Sequence, residues 1–322
     1  MRFSLLVTLA SATLGRAGTF KRITSDNSFD LAEAENVDWM AKLPNNIQVT
    51  SLSIPGTHNS VTNLVTDPSI QTQNTDLATQ LRAGIRYIDV SASLKNGKIA
   101  IYHRGINTTY DLETVLTTVL DFIDENPREG IFIRIRKNIF GSGTTVDFES
   151  AIRRYLTPYT AIGRRMTAYL YKHRVMDLTW ELPRLKDIRG RIIILQDFPT
   201  ERHGLLAVAW NSEYIVVSDW KFALGKFGVA LKWFAVKAGL TSVAEKLDEK
   251  LHITHVSAGS SSTPYQVAGG ASGMGPGMND RVANYLTTHS VPRTGIIVMD
   301  FPGKRLVEQI ISHNNRIQPQ SS

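Results

Sequence analysis

Eight short apolar runs separated by helix-forming segments constrain this chain more than any other feature. They cover residues 48–54, 86–90, 99–102, 131–135, 191–195, 214–217, 253–256 and 295–299 and are rich in Ile and Val. Such runs read as strands, because β-branched side chains pack well on a pleated surface. Several of the segments between them show helical periodicity. In residues 111–125, Leu112, Val115, Leu116, Val119, Leu120 and Ile123 recur at i, i+3, i+4 spacing, with Asp111 as a candidate N-cap and Pro127 as a stop. Eight strands alternating with helices in roughly 260 residues predict an α/β fold, a (β/α)8 TIM-type barrel rather than an open doubly wound sheet.

Residues 1–20 carry Arg2, then a short uncharged apolar run and small residues, the pattern of a secretory signal peptide. They predict a secreted protein in which residues 21–322 form one barrel domain, since no linker, repeat or composition shift follows residue 36. No stretch reaches the roughly 18 to 20 consecutive apolar residues of a spanning helix, so any membrane role is expected to be peripheral. The chain has no cysteine, which excludes disulfides, thiolate zinc sites and cysteine nucleophiles and leaves chemistry to His, carboxylates, Arg and Lys. A formal charge of +7 suits anionic partners. The Gly/Ser/Pro-rich stretch 257–277 is too long for a simple turn and reads as a functional or disordered loop.

In a parallel barrel the reacting groups sit where strands end. The residues closing these runs are His58, Asp89, His103, Arg136, Asp197, Asp219 and Asp300. Two histidines facing one another suit phosphodiester cleavage: one imidazole takes the proton of an attacking hydroxyl and the other protonates the leaving oxygen. A cationic group would stabilise the non-bridging oxygens. Asp89 and Asp300 could equally cap the next helix, a role compatible with orienting an imidazole. His173, His203, His252, His255, His289 and His313 show no such placement and are assigned no role. His252 and His255 straddle an expected strand and would point to opposite faces, which argues against zinc there.

With these motifs in place, the chain resembles the phospholipase C X-box family, in particular the bacterial-type phosphatidylinositol-specific phospholipases C and their fungal secreted relatives. The resemblance runs from about Trp39 to Ile317 and rests on SLSIPGTHNS, AGIRYIDV, IYHRG, ENPREGIFIRIRK and PRTGIIVMDFPG, which arrive in the family's order. It implies a distorted TIM barrel. It implies His58 as general base toward the inositol 2-hydroxyl, Asp300 as its orienting partner, and His103 as general acid, with Asp89 as its helper or an organiser of the phosphate site. Arg136 falls where metal-independent members have Lys and calcium-dependent members a carboxylate, so no metal cofactor is expected. Asp219 matches a carboxylate that holds inositol hydroxyls.

The departures lie in the phosphate and headgroup contacts. Ser91 stands where metal-independent members carry a phosphate-binding arginine, and Asn59 replaces a bacterial aspartate. Arg104 is extra and could supply the missing guanidinium. Asp197 reverses the charge of an inositol-gripping arginine, and Lys221, beside Trp220, takes the place of an aromatic residue. Residues 220–240 mix aromatics with lysines. They read as a long barrel helix burying its rings, ahead of a lipid-interface segment, with Gly225 and Gly228 interrupting the helical pattern.

The expected function is cleavage of phosphatidylinositol-type lipids to diacylglycerol and a cyclic inositol phosphate, by a monomer acting peripherally on a phospholipid surface. Two rivals are a barrel phosphodiesterase acting on a glycerophosphodiester or sphingolipid, suggested by the HRG tripeptide at 103–105, and an inactive binder of anionic lipid. Nucleic acid is not an expected partner, since no recognised module motif or basic stripe is present.

Overall fold

The computed structural model describes residues 25–138, 144–172, 182–201, 207–221, 225–246, 248–259, 262–271 and 273–316, so the expected signal peptide, His173 and His203 lie outside the described residues. Ten strands form: β1 (Ser53–Thr57), β2 (Tyr87–Lys95), β3 (Lys98–His103), β4 (Ile106–Asp111), β5 (Gly130–Lys137), β6 (Arg191–Asp197), β7 (Val208–Ala209), β8 (Ile215–Ser218), β9 (Leu251–His255) and β10 (Gly295–Met299). The α-helices are α1 (Leu77–Arg82), α2 (Leu112–Glu125), α3 (Thr145–Leu156), α4 (Ala161–Tyr169), α5 (Leu185–Ile188), α6 (Gly225–Glu245), α7 (Pro264–Gly269), α8 (Met278–Thr288) and α9 (Lys304–Ser312).

Eight strands pair in parallel in the order β7-β6-β5-β2-β1-β10-β9-β8. The sheet curls so that residues on or just past β1, β2, β5, β8 and β9 line one cavity, yet among the described residues no ladder joins β7 to β8. The result is an unclosed TIM-type barrel. Three sequence expectations need correction. The run at 99–102 is not a barrel strand: β3 pairs antiparallel with β2, β4 pairs antiparallel with β3, and two-residue β7 takes the eighth parallel place. The first strand begins at Ser53, because residues 49–51 form a 3-10 turn. The seventh run ends at His255 rather than Val256.

Period-two alternation sorts the side chains into an inside and an outside. Ile54, Tyr87, Phe132, Ile193, Leu195, Ile253, Ile296 and Val298 fill one buried cluster inside the barrel below the site. Their neighbours Ile88, Val90, Ile131, Ile133, Ile135, Ile192 and Ile194 pack outward against α2 and α3, and Ile297 and Met299 against α8 and α9. Helix α2 forms as its stripe predicts. Asp111 caps it by accepting from Thr114 N, Asn126 closes it before Pro127, and all six stripe residues are buried. Each large apolar side chain so buried contributes about 1.5–3 kcal/mol relative to exposure.

Helix α6 departs from expectation. It runs unbroken through Gly228, and it buries Val229, Lys232, Val236, Leu240 and Val243 but not its phenylalanines: Phe227 is 76% and Phe234 69% exposed. Among the described rings of 220–240 only Trp233 follows the expected inward packing, half-buried against Tyr285 with ring centroids 6.1 Å apart. The Gly/Ser/Pro-rich stretch is partly ordered as α7, and Ser257, Ala258, Gly259 and Pro264 from it form part of the cavity wall.

Candidate active site

At the C-terminal ends of the parallel strands lies a cavity of about 380 Å3 whose wall includes His58, His103, Arg104, Arg136, Asp219, Lys221 and Asp300. Each side chain is placed by where its strand stops. His58 follows β1 directly, and its backbone is fixed by a bond from its own N–H to Met299 O (2.9 Å) and by bonds from Thr72 Oγ1 and Gln73 Nε2 to its carbonyl. The next residue, Asn59, adopts φ +41°, turning the chain away so that the imidazole stays over the barrel.

The imidazole is held at both nitrogens. His58 Nδ1 lies 2.8 Å from Asp300 Oδ1, and Nε2 lies 2.7 Å from Asn59 Nδ2. Asp300 can only accept when ionised, so Nδ1 carries the proton and Nε2 is the free base, accepting from the Asn59 amide. Burial raises the affinity of the Asp300 carboxyl for a proton, and the neighbouring His58 works against that shift.

His103 ends β3, an antiparallel strand that descends to the mouth, and its ring stands nearly perpendicular (86°) to that of His58 with centroids 5.7 Å apart. Burial, reinforced by His58, Arg104 and Arg136, lowers its pKa to about 3, so the imidazole is held neutral. Arg136 on β5 is in register with Ser91 on β2, and both are on the cavity wall, so this guanidinium is carried on the strand beside the serine. Arg104 adopts φ +46° and reaches the carbonyls of Ser69 and Gly259 at 3.4 Å, a loose strap along the rim. Lys221 Nζ sits 3.5 Å from Asp219 Oδ2.

Three expected site residues lie off the wall. Asp197 accepts from Arg134 Nε and Nη2 at 3.0 and 2.5 Å, which ties its carboxylate to that arginine. Asp89 is fully buried beneath the cavity, where it accepts from Asn59 N (3.3 Å) and lies 3.6 Å from Arg134; its contact to His103 is electrostatic only. Burial would raise its pKa, but Arg134, Arg136, His58 and His255 together hold it below the usual carboxylate range. Asn59 acts on His58 and is itself buried.

Sequence reasoning missed two participants. His255 stands at the end of β9, its ring 6.0 Å from that of His58, and it lines the cavity while burial lowers its pKa to about 3. Arg134 also lines it, stacked 3.9 Å over Trp210. Both were legible from strand parity, since Arg134 alternates with Phe132 and His255 with Ile253, which fill the barrel interior. Behind this wall, Lys232 of α6 is fully buried and donates to the carbonyls of Trp220 (2.7 Å) and His255 (2.6 Å), just past the last β8–β9 pair. Burial lowers its pKa to about 8. His252 instead bonds Asp248 at 2.8 Å, and among the described residues no three His, Asp or Glu side chains are grouped to hold a metal ion.

Comparison with known proteins agrees with this geometry. Residues 51–197 match the family described as phosphatidylinositol-specific phospholipase C, X domain. A 1-phosphatidylinositol phosphodiesterase of Listeria monocytogenes is 31% identical over 299 residues, covering 86% of this chain and 84% of the relative. The solved phosphatidylinositol-specific phospholipase C of Listeria monocytogenes superposes with a TM-score of 0.72 at 27% identity, covering 87% of this chain and 99% of that one. A Staphylococcus aureus phosphatidylinositol-specific phospholipase C shares the fold at 20% identity, with a TM-score of 0.69 and coverage of 88% and 99%. The order of strands, the paired histidines and these matches agree, and the chain belongs to the phosphatidylinositol-specific phospholipase C X-domain family.

Proposed function

We propose that the chain cleaves phosphatidylinositol to diacylglycerol and a cyclic inositol phosphate at a membrane surface. The observation that carries this reading is the His58–Asp300 pair facing His103 across a cationic cavity. His58 Nε2 takes the proton of the inositol 2-hydroxyl. The oxygen bonds to phosphorus as the bond to the glycerol oxygen breaks, and His103 gives its proton to that leaving oxygen. The reaction ends with His58 protonated, supported by Asp300, and His103 neutral, so a net proton returns from one to the other before the next turnover.

Binding of the anionic phosphodiester sets this protonation state. Burial and neighbouring cations keep His103 neutral. A phosphate between it and Arg136 offsets those cations and favours the imidazolium, which couples acid formation to substrate entry. Arg136 and Arg104 stabilise the charge growing on the non-bridging oxygens, in place of the arginine absent at Ser91. Asp219, Lys221 and His255 form the headgroup side.

Phosphorus NMR of the protein incubated with phosphatidylinositol vesicles, with and without chelator, tests the reading. A cyclic phosphodiester signal in both tubes supports it, and loss of turnover with chelator overturns the metal-independent mechanism. The Arg134–Asp197 pair favours a second reading, because a carboxylate tied to Arg134 stands where the resemblance places an inositol-gripping arginine. Turnover of another phosphodiester with none of phosphatidylinositol would establish that alternative.

A further inference from the structure

Eight large apolar side chains are exposed among the described residues. Tyr159 lies between α3 and α4, Val217 in β8, Leu64 follows β1, Ile106 opens the β3–β4 turn beside His103, Trp220 follows β8, and Phe227, Leu231 and Phe234 lie on α6. The last three are spaced four and three residues apart, so they share one helical face, opposite the buried Val229, Lys232, Val236 and Leu240. Two phenylalanines left largely exposed on one face forfeit the gain of burial and call for an occupant.

The helix begins beside the cavity mouth. It starts at Gly225, shortly after the cavity residue Lys221, and Lys232 on its buried face bonds the carbonyl of Trp220, which lies between the cavity residues Asp219 and Lys221. The bond ties α6 to the rim where a lipid headgroup enters, with its aromatic face turned outward. Lys221 and Lys237 are exposed beside it, on a chain of formal charge +7. Residues 227–245 are long and apolar enough to span a bilayer, but in this fold they pack on β8, β9 and α8 through a face that carries a buried lysine.

We propose that Trp220 and the Phe227–Leu231–Phe234 face of α6 form the docking surface for an anionic phospholipid bilayer. The rings enter the headgroup and acyl boundary while Lys221 and Lys237 meet lipid phosphates, which brings the mouth to the membrane plane. The proposal rests on the reading that the substrate is a membrane lipid, and it assigns the contact to a helix outside the cavity.

The test compares wild type with Phe227→Ser/Phe234→Ser, a surface variant that leaves the buried face of α6 intact. Cosedimentation with phosphatidylcholine vesicles containing phosphatidylglycerol is expected to weaken at least tenfold, while turnover of a water-soluble inositol phosphodiester stays at the wild-type level. Equal vesicle binding by both proteins would overturn the proposal. So would a wild-type dimer that the substitutions convert to monomer with vesicle binding intact, since the occupant is then a second copy. Wild type that docks through this face but turns over no inositol phosphodiester would leave the docking surface standing and remove the proposed reaction instead.

Discussion

His58 and His103 carry opposite tasks because their surroundings differ. One is oriented by a carboxylate, and the other is buried among cations. His58→Ala and His103→Ala are each expected to lower kcat by about 100-fold to 10,000-fold, measured with a soluble phosphodiester so that membrane effects drop out. His255 makes a different prediction. Its folded pKa is lowered from 6.5 to about 3 by burial, so the neutral form is the folded one. Its contribution to stability is complete above about pH 6.5 and is lost as pH falls toward 3. His255→Phe keeps the ring and removes the titration, so denaturant unfolding should depend less steeply on pH between about 6.5 and 4 than in wild type; an unchanged slope would refute this assignment. Residues that close an apolar run were legible in the sequence because a charge after an apolar stretch is conspicuous. Arg134 and His255 were harder to read, because each sits within a run, where only inside–outside parity distinguishes a cavity residue from an outward one.

At the scale of elements, α2 was readable to its ends because cap, stripe and stop all agree. Leu116 is fully buried in the cluster between α2 and the outer face of the sheet. Leu116→Ala should therefore cost about 2–5 kcal/mol in denaturant unfolding while leaving the KM for a soluble substrate unchanged. The β3–β4 hairpin was not readable, since a four-residue apolar run says nothing about strand direction. Its antiparallel descent is nonetheless what delivers His103 to the mouth. The end of β1 was hidden by Pro55-Gly56, which looks like a turn; in the fold Gly56 admits Tyr87, whose Cβ would lie 2.8 Å from a Cβ added there. Helix α6 was found, but its facing was not. A mixture of rings and lysines fits burial and exposure alike until the neighbouring strands are placed.

Over the whole molecule, apolar layers fill the barrel below and polar groups collect above, so stability and chemistry occupy different levels of one interior. The barrel class followed from the count of strands and helices. The break between β7 and β8 did not, because closure depends on pairing that periodicity cannot report. That break grades the sheet in time as well as in space. β1 and β10, which lead into His58 and Asp300, have hydrogen-bonded neighbours on both sides, whereas β8, which leads into Asp219, is paired among the described residues only with β9. Hydrogen exchange should therefore be slowest at the amides of β1 and β10 and faster in β8, with uniform protection across the three ruling this out. Proton transfer would then rest on the slowly opening centre of the sheet and headgroup recognition on its breathing margin, where the chain can change the lipid it accepts without loosening the groups that cut it.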